Sequence, residues 1–497
     1  MSLKIGGSVN WDETDIQIRI NHLESKLIML GCKKGDHVAI LSENSPEYII
    51  LILTLIKMEL VFVPMNTRYS YEEIIKNCER FNCNKIFHST KFKNIDIRIN
   101  KVWMEYVVEV QSNEYRVPNT EYQVLSTEDK ELSMIDKIGI TQDSVLSTQD
   151  SILNIILTSG SSGQPKGVVH SLENHIVSAE GANEFFDFNS NSSWFLSLPL
   201  FHVGGLAILF RCLIAEAQLI IPEDNSELNE SISKYPATHY SFVFTQLKRL
   251  IDDNDLTVSE GTHNSFKINA PVEILKHAST ILLGGSAIPE SLIDKSLKLK
   301  LPIRTSYGCS EMSSTVTATK SLDKEELMTS GYLIPGREIS FKDDGEVILS
   351  GKTLFQGYYD AIGSRVYGIG SKFNGEEKNT EPNSPITNHE SGDLAKLDLQ
   401  DRLIILGRKD RMFISGGENI YPEKIEKAIL DYPGVENCKV TSTYDEEFGK
   451  RPTAKVVGEV SISEFNTHLR NKLSKFEMPV QIVLVDELEA PSSKSKF

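Results

Sequence analysis

Residues 156–170 read ILTSGSSGQPKGVVH. A hydrophobic run stops at Thr158. Ser159, Gly160, Ser161, Ser162 and Gly163 follow with almost no side-chain bulk, and Pro165 and Lys166 close the stretch. A strand that ends in Gly and Ser leaves several backbone N–H groups pointing at one place, and hydroxyls add further donors. Such a nest suits phosphate oxygens, with Lys166 as a point charge. The GxxxxGK[ST] spacing of a Walker A loop is absent, and so is a GxGxxG fingerprint. Taken alone, the stretch also reads as a plain Ser/Gly connector.

Outward from the loop, helix-period and strand-like segments alternate. WDETDIQIRINHLESKLIMLG (11–31) has apolar residues at helical spacing and ends on Gly31, a suitable C-cap. DHVAILS reads as a buried strand, Glu47–Met58 as an apolar helix and LVFVPM as a strand. SYEEIIKNCERFN opens on a serine cap and leads into KIFHS. WFLSLPLF, AQLIIP, YSFVF, STILLGG and LPIRTSYG continue the theme to about residue 310. This alternation predicts an α/β domain of mostly parallel sheets covered by helices. Residues 361–391, rich in Gly, Ser, Asn and Pro, read as an exposed loop. After LIILGRKD comes a small α+β set, so the expected division is 1–409 and 410–497, with the boundary at Asp410.

A formal net charge of −17 argues against non-specific nucleic-acid binding and against adhesion to an anionic membrane. The six cysteines (32, 78, 83, 212, 309 and 438) form no CxxC pair or zinc-like cluster, which suits reduced thiols. YIILILTLI (48–56) is far short of the roughly 20 residues of a membrane span. MSLKIGGSVNWDE has neither the basic nor the apolar part of a signal peptide, so a cytoplasmic location is expected.

TSGSSGQPKG resembles the phosphate loop of the adenylate-forming enzymes: acyl-CoA synthetases, peptide-synthetase adenylation domains and luciferases. Three further stretches resemble that family's motifs in the right order: SYGCSEM (306–312), ESGDLAKL (390–397) and GRKDRMFISGGENIYPEKIE (407–426). The resemblance implies ATP, Mg²⁺ and coenzyme A as ligands, and a small C-terminal domain that swings between two half-reactions. A carboxylate attacks the α-phosphate, pyrophosphate leaves, and a thiol then attacks the mixed anhydride. The barrier is mostly anion repulsion, which positioned donors, a cation and Mg²⁺ answer.

By resemblance, Thr158, Ser159, Ser161, Ser162 and Lys166 hold the β- and γ-phosphates, while Gly160 and Gly163 permit close approach. Tyr307 stacks on adenine, Ser310 stands where the family has Thr, and Glu311 ligates Mg²⁺. Asp393 accepts from the ribose hydroxyls, assisted by Arg408. Asp410 matches the hinge, and Ser415-Gly416-Gly417-Glu418 would line a pantetheine tunnel after the swing. The family's C-terminal adenylation lysine falls at Lys494 if one residue is deleted and at Lys496 if one is inserted. Lys494 is the expected one, with loss of the group the third reading.

WFLSLPLFHVGGLAILFRCL (194–213) bears on the acid. His202 stands where the family has an aromatic or histidine gate, and Arg211 lies in an otherwise apolar helix-like run. A buried guanidinium reaches solvent, meets an anion or makes an internal ion pair. LPLFHVGGLAILFR followed by SFVFTQLKRLI resembles one branch of the family, the o-succinylbenzoate–CoA ligases of menaquinone biosynthesis. On that resemblance Arg211 binds a substrate carboxylate, with Ser241, Gln246, Gly285 and Ser286 as further pocket residues. Another acyl- or aryl-CoA ligase, a stand-alone adenylation domain and a nucleotide-binding protein without ligase activity are the competing readings. The partners expected are small molecules, and a homo-oligomer is compatible with the sequence.

Overall fold

The computed structural model describes residues 3–92, 107–109, 152–158, 165–222, 228–259, 271–360, 365–367, 386–446 and 448–488. Helix starts follow local chemistry. Asp12 and Ser70 each form a reciprocal capping box, with Asp15 and Glu73, ahead of helices Glu13–Met29 and Tyr71–Arg80. The first helix stops where expected, with Gly31 at a φ of 74° just beyond it. Helix Pro46–Lys57 is apolar on every face, and its residues from Pro46 to Ile56 are almost all buried.

Two eight-stranded sheets dominate. One runs in the order Lys4–Gly7, Gln218–Ile221, Ser193–Phe195, His239–Phe242, Thr280–Leu283, Ile303–Cys309, Ser314–Ala318, Tyr332–Leu333. The other runs Arg365–Tyr367, Gly357–Asp360, Lys166–His170, Asn154–Thr158, Val61–Pro64, His37–Leu41, Cys83–His88, Val107–Glu109. Each is parallel over most of its width and antiparallel at one end. One core joins residues of both sheets around helices Pro46–Lys57, Leu172–Phe185 and Val203–Ile214, so these helices are packed between sheets. Each fully buried Leu, Ile or Phe there contributes about 1.5–3 kcal/mol.

A third, antiparallel sheet orders Glu338–Phe341, Glu346–Ser350, Asn388–Leu397 and Leu403–Arg408. The loop expected over 361–391 is therefore interrupted: Arg365–Tyr367 and Asn388–Ser391 are strand. The C-terminal residues have their own core, from Phe413 to Leu473, beneath helices Pro422–Leu430 and Ile462–Lys472 and a three-stranded sheet. No helix among the described residues is long and apolar enough to cross a membrane.

Candidate active site

Open sheets of this kind place ligands beyond the carboxyl ends of their parallel strands. Some of the predicted residues, Thr158 and Tyr307 among them, lie at such strand ends. Thr158 ends one strand and Lys166 begins the next, and they pair across the antiparallel neck of the Ser/Gly loop. The Arg80 guanidinium donates to the Pro165 carbonyl at 2.5 Å, fixing the returning limb. Ser159, Gly160, Ser161, Ser162 and Gly163 lie outside the described residues.

Strand Ile303–Cys309 carries Tyr307 and runs into the short turn Ser310–Met312, which presents Glu311. That turn ends in Ser313 at a φ of 53°, followed by Ser314 at 111°, an unusual backbone for residues other than Gly. The bend is tied down by its surroundings: Ser313 Oγ donates to the Thr353 carbonyl, and Ser178 Oγ donates to the Ser313 carbonyl. The Ser310 carbonyl lies 2.7 Å from His170 Nε2. Burial lowers the His170 pKa to about 4, against the opposing effect of that contact. The Tyr358 hydroxyl donates to Glu311 Oε1 at 2.7 Å, and Lys166 Nζ stands 5.0 Å over the Tyr358 ring. Lysine, phenol and carboxylate thus form one line from the loop neck to the turn.

The third sheet supplies the next group. Asp393 pairs in register with Arg408, whose Nη1 lies 3.2 Å from Asp393 Oδ1. The Tyr307 hydroxyl donates to the other carboxylate oxygen at 2.7 Å. Burial, then neighbouring Cys309 and Asp393, push the Tyr307 pKa well up, so the phenol stays a donor. Gly392 has a φ of 72°, and a Cβ there would meet Arg408 Nη2 at 2.7 Å. Arg408 continues to Asp410, with Nε 3.1 Å from its Oδ1. Beyond it, Gly416 and Gly417, with φ of 58° and 90°, make a two-residue turn between Ser415 and Glu418. A Cβ on Gly416 would press on Phe476 and Phe448, so this turn packs within the C-terminal unit.

On the acid side, His202 caps helix Val203–Ile214 without a side-chain hydrogen bond and is exposed. Its pKa is lowered by partial desolvation and then by Arg68. Arg211, 2% exposed, neither reaches solvent nor meets a carboxylate among the described residues. Its Nη2 donates to Thr315 Oγ1 at 3.0 Å, and its guanidinium lies 4.7 Å from the Trp194 ring and 5.9 Å from Phe186. Nε has no partner. Burial lowers the Arg211 pKa to about 10, which leaves the group charged near neutral pH. Trp194 Nε1 donates to Ser241 Oγ at 3.1 Å, joining Ser241 to the same cage. Gln246 braces two loops, accepting from Val243 N and donating to the Ser197 carbonyl. Gly285 and Ser286 are exposed just past strand Thr280–Leu283, and a Cβ on Gly285 would lie 3.7 Å from Val243.

Residues 8–359 match the AMP-binding enzyme family, and residues 424–494 match the AMP-binding enzyme C-terminal domain. The chain belongs to the AMP-binding enzyme family. A curated relative, the 2-succinylbenzoate–CoA ligase of Haemophilus influenzae, is 30% identical over 483 residues, covering 96% of this chain and 88% of the relative. Among solved structures, the o-succinylbenzoate–CoA synthetase of Bacillus subtilis in complex with its acyl-adenylate intermediate superposes with a TM-score of 0.73. It is 23% identical and is covered over 93% of its length, against 99% of this chain. An anthranilate–CoA ligase in complex with anthranoyl-AMP reaches a TM-score of 0.77 at 18% identity, covering all of this chain and 92% of that one. Both likenesses are of fold.

Within this AMP-binding enzyme, two residues of the site escape a reading of the sequence. Tyr358 lies in FQGYYD, which reads only as a short β element. Its pairing with Val168, two residues past Lys166, is what brings it to Glu311. Thr315 is 104 residues from Arg211, and no local signal connects the two. Lys494 lies outside the described residues.

Proposed function

We propose that this AMP-binding enzyme is an acid–thiol ligase that activates o-succinylbenzoate as its acyl-adenylate and transfers the acyl group to coenzyme A. The products are o-succinylbenzoyl-CoA, AMP and pyrophosphate, the ligation that serves menaquinone biosynthesis. The observation that carries the acid is Arg211. A buried guanidinium facing aromatic rings, with an unpartnered Nε and a neutral hydroxyl for company, is incomplete until an anion joins it. An acid with two carboxylates supplies one to Arg211 and presents the other to ATP.

In the first half-reaction a carboxylate oxygen of the acid bonds to the α-phosphorus and the bond to pyrophosphate breaks. In the second, the thiol sulfur bonds to the acyl carbon and AMP leaves. Thr158, Lys166 and the loop between them bind the phosphates and offset their charge. Tyr307, Asp393 and Arg408 hold the nucleoside. The chemistry at Glu311 fits Mg²⁺, which takes one or two carboxylates and completes its shell with substrate phosphates. No cluster of three or more His, Cys, Asp or Glu suited to a self-sufficient metal site occurs among the described residues. When bound, the ion would screen phosphate charge, and Glu311, fixed by the Tyr358 hydroxyl, would hold it. The C-terminal unit, 410–497, turns at Asp410 between the half-reactions, and Lys494 serves the first.

The test is pyrophosphate release with Mg·ATP and coenzyme A, comparing o-succinylbenzoate with benzoate, a medium-chain fatty acid and an amino acid. A response confined to o-succinylbenzoate is expected. Release with another acid alone would keep the ligase and discard the role of Arg211.

A further inference from the structure

The residues on either side of Asp410 are tied in opposite directions. On the C-terminal side, Arg411 donates to Glu423 at 2.9 Å and to Glu426 at 2.6 Å, both on helix Pro422–Leu430. On the N-terminal side, Lys409 Nζ lies 2.5 Å from Asp344 and 2.8 Å from Glu346, and its backbone N–H donates to the Gly392 carbonyl at 2.8 Å.

The two carboxylates holding Lys409 are not equivalent. The Asp344 side chain is 49% exposed, where an ion pair contributes little, and that of Glu346 is 5% exposed. Glu346 Oε2 is shared by Lys409 and Lys342, the latter at 3.1 Å. Its Oε1 accepts from the N–H of Gly392 at 3.2 Å, one residue before Asp393. Burial raises the Glu346 pKa, but the two lysines outweigh it and hold the carboxyl ionised.

We propose that Glu346 is a positioning residue that pins the N-terminal side of the interdomain hinge, joining Lys409 to the backbone beside Asp393. This rests on the reading of Asp410 as the hinge. With Lys409 pinned to one unit and Arg411 to the other, rotation is confined to the peptide links around Asp410. Without the pin, rotation spreads into Lys409 and Arg408. Because Arg408 also grips Asp393, the nucleoside-binding carboxylate would then be pulled each time the C-terminal unit moved.

The experiment is single-molecule energy transfer between dyes on Met29→Cys and Tyr444→Cys, both exposed and one on each unit, with and without AMP. Glu346→Gln keeps an acceptor for Gly392 but loses the ion pair, and it should broaden the distance distribution. Lys409→Met, at a position whose side chain is 41% exposed, should do the same, while Glu346→Asp should restore a narrow distribution. Thioester formation from preformed adenylate should fall about tenfold in the first two variants, with AMP affinity changed less than about threefold. Wild-type distributions in both Glu346→Gln and Lys409→Met would overturn the pin. If Glu346→Gln fails to fold, Lys409→Met alone decides. A wild-type enzyme inactive on every acid would overturn the proposed function while leaving the distance measurement able to judge the pin.

Discussion

Tyr358 and Glu311 are hydrogen-bonded at 2.7 Å although 47 residues separate them, and Lys166 stands over the same phenol ring. A single side chain therefore orients the carboxylate and packs against the lysine at the neck of the Ser/Gly loop. Tyr358→Phe keeps the ring and removes the hydroxyl. A hydrogen bond to a charged group is worth about 1.5–3 kcal/mol, so the Mg²⁺ concentration for half-maximal pyrophosphate release should rise at least about tenfold. An unchanged Mg²⁺ titration would remove Tyr358 from this role.

Arg211→Ala should abolish the preference for a dicarboxylic acid while leaving ATP binding intact. Thr315→Val is the subtler probe, since it deletes the one hydroxyl holding Nη2 and preserves the shape. The KM for the acid should rise about tenfold with kcat less affected. Parallel loss with benzoate would show a packing effect instead.

Acid should destabilise the fold through buried histidines. Burial first, against an opposing backbone hydrogen bond, lowers the pKa of both His170 and His239 to about 4 from an ordinary 6.5. The folded state then favours the neutral ring, so the unfolded chain binds protons first as pH falls. Their contribution is complete above about pH 6.5 and is lost progressively down to about pH 4, at most about 3 kcal/mol each. Denaturant midpoints measured from pH 7.5 to 4.5 should fall in wild type, and less steeply in His239→Gln.

Gly416→Ala forces a side chain into a left-handed backbone and against two phenylalanine rings. It should cost about 2 kcal/mol or more in the C-terminal unit. Gly417→Ala, with open space around its Cβ, should cost less by thermal melting. Equal melting temperatures would contradict the packing described.

Lys494→Ala should slow adenylate formation far more than thioester formation from preformed adenylate, and Lys496→Ala should spare both. The reverse result would place the adenylation group at Lys496.

Much of this site is legible in the sequence because its parts are local. The loop between Thr158 and Lys166, the Tyr307–Glu311 turn and the Asp393 strand each announce themselves within a few residues. Capping serines and terminal glycines likewise fix element ends without reference to the rest of the fold. What escapes is set by pairing at a distance. Asn388–Ser391 is polar enough to read as loop, yet its backbone is recruited by strand Glu346–Ser350. Arg211 is legible as an anomaly in an apolar helix, but its company of Trp194 and Thr315 comes from two strands four places apart in the sheet order. Glu346 looks like an ordinary surface acid beside Asp343 and Asp344 until the fold buries it beneath two lysines.

Leu430, at the end of helix Pro422–Leu430, packs against the C-terminal core and also against the core of the large domain beneath helix Glu290–Lys298. Beside it, Asp431 accepts from the Ser291 N–H at 2.7 Å. A rotation of the small unit that parts the two cores would lift this leucine into water and later return it. Wetting apolar surface carries a positive heat capacity. If that lift precedes the slow step, the temperature dependence of turnover should curve on an Arrhenius plot even though no bond is made or broken at Leu430.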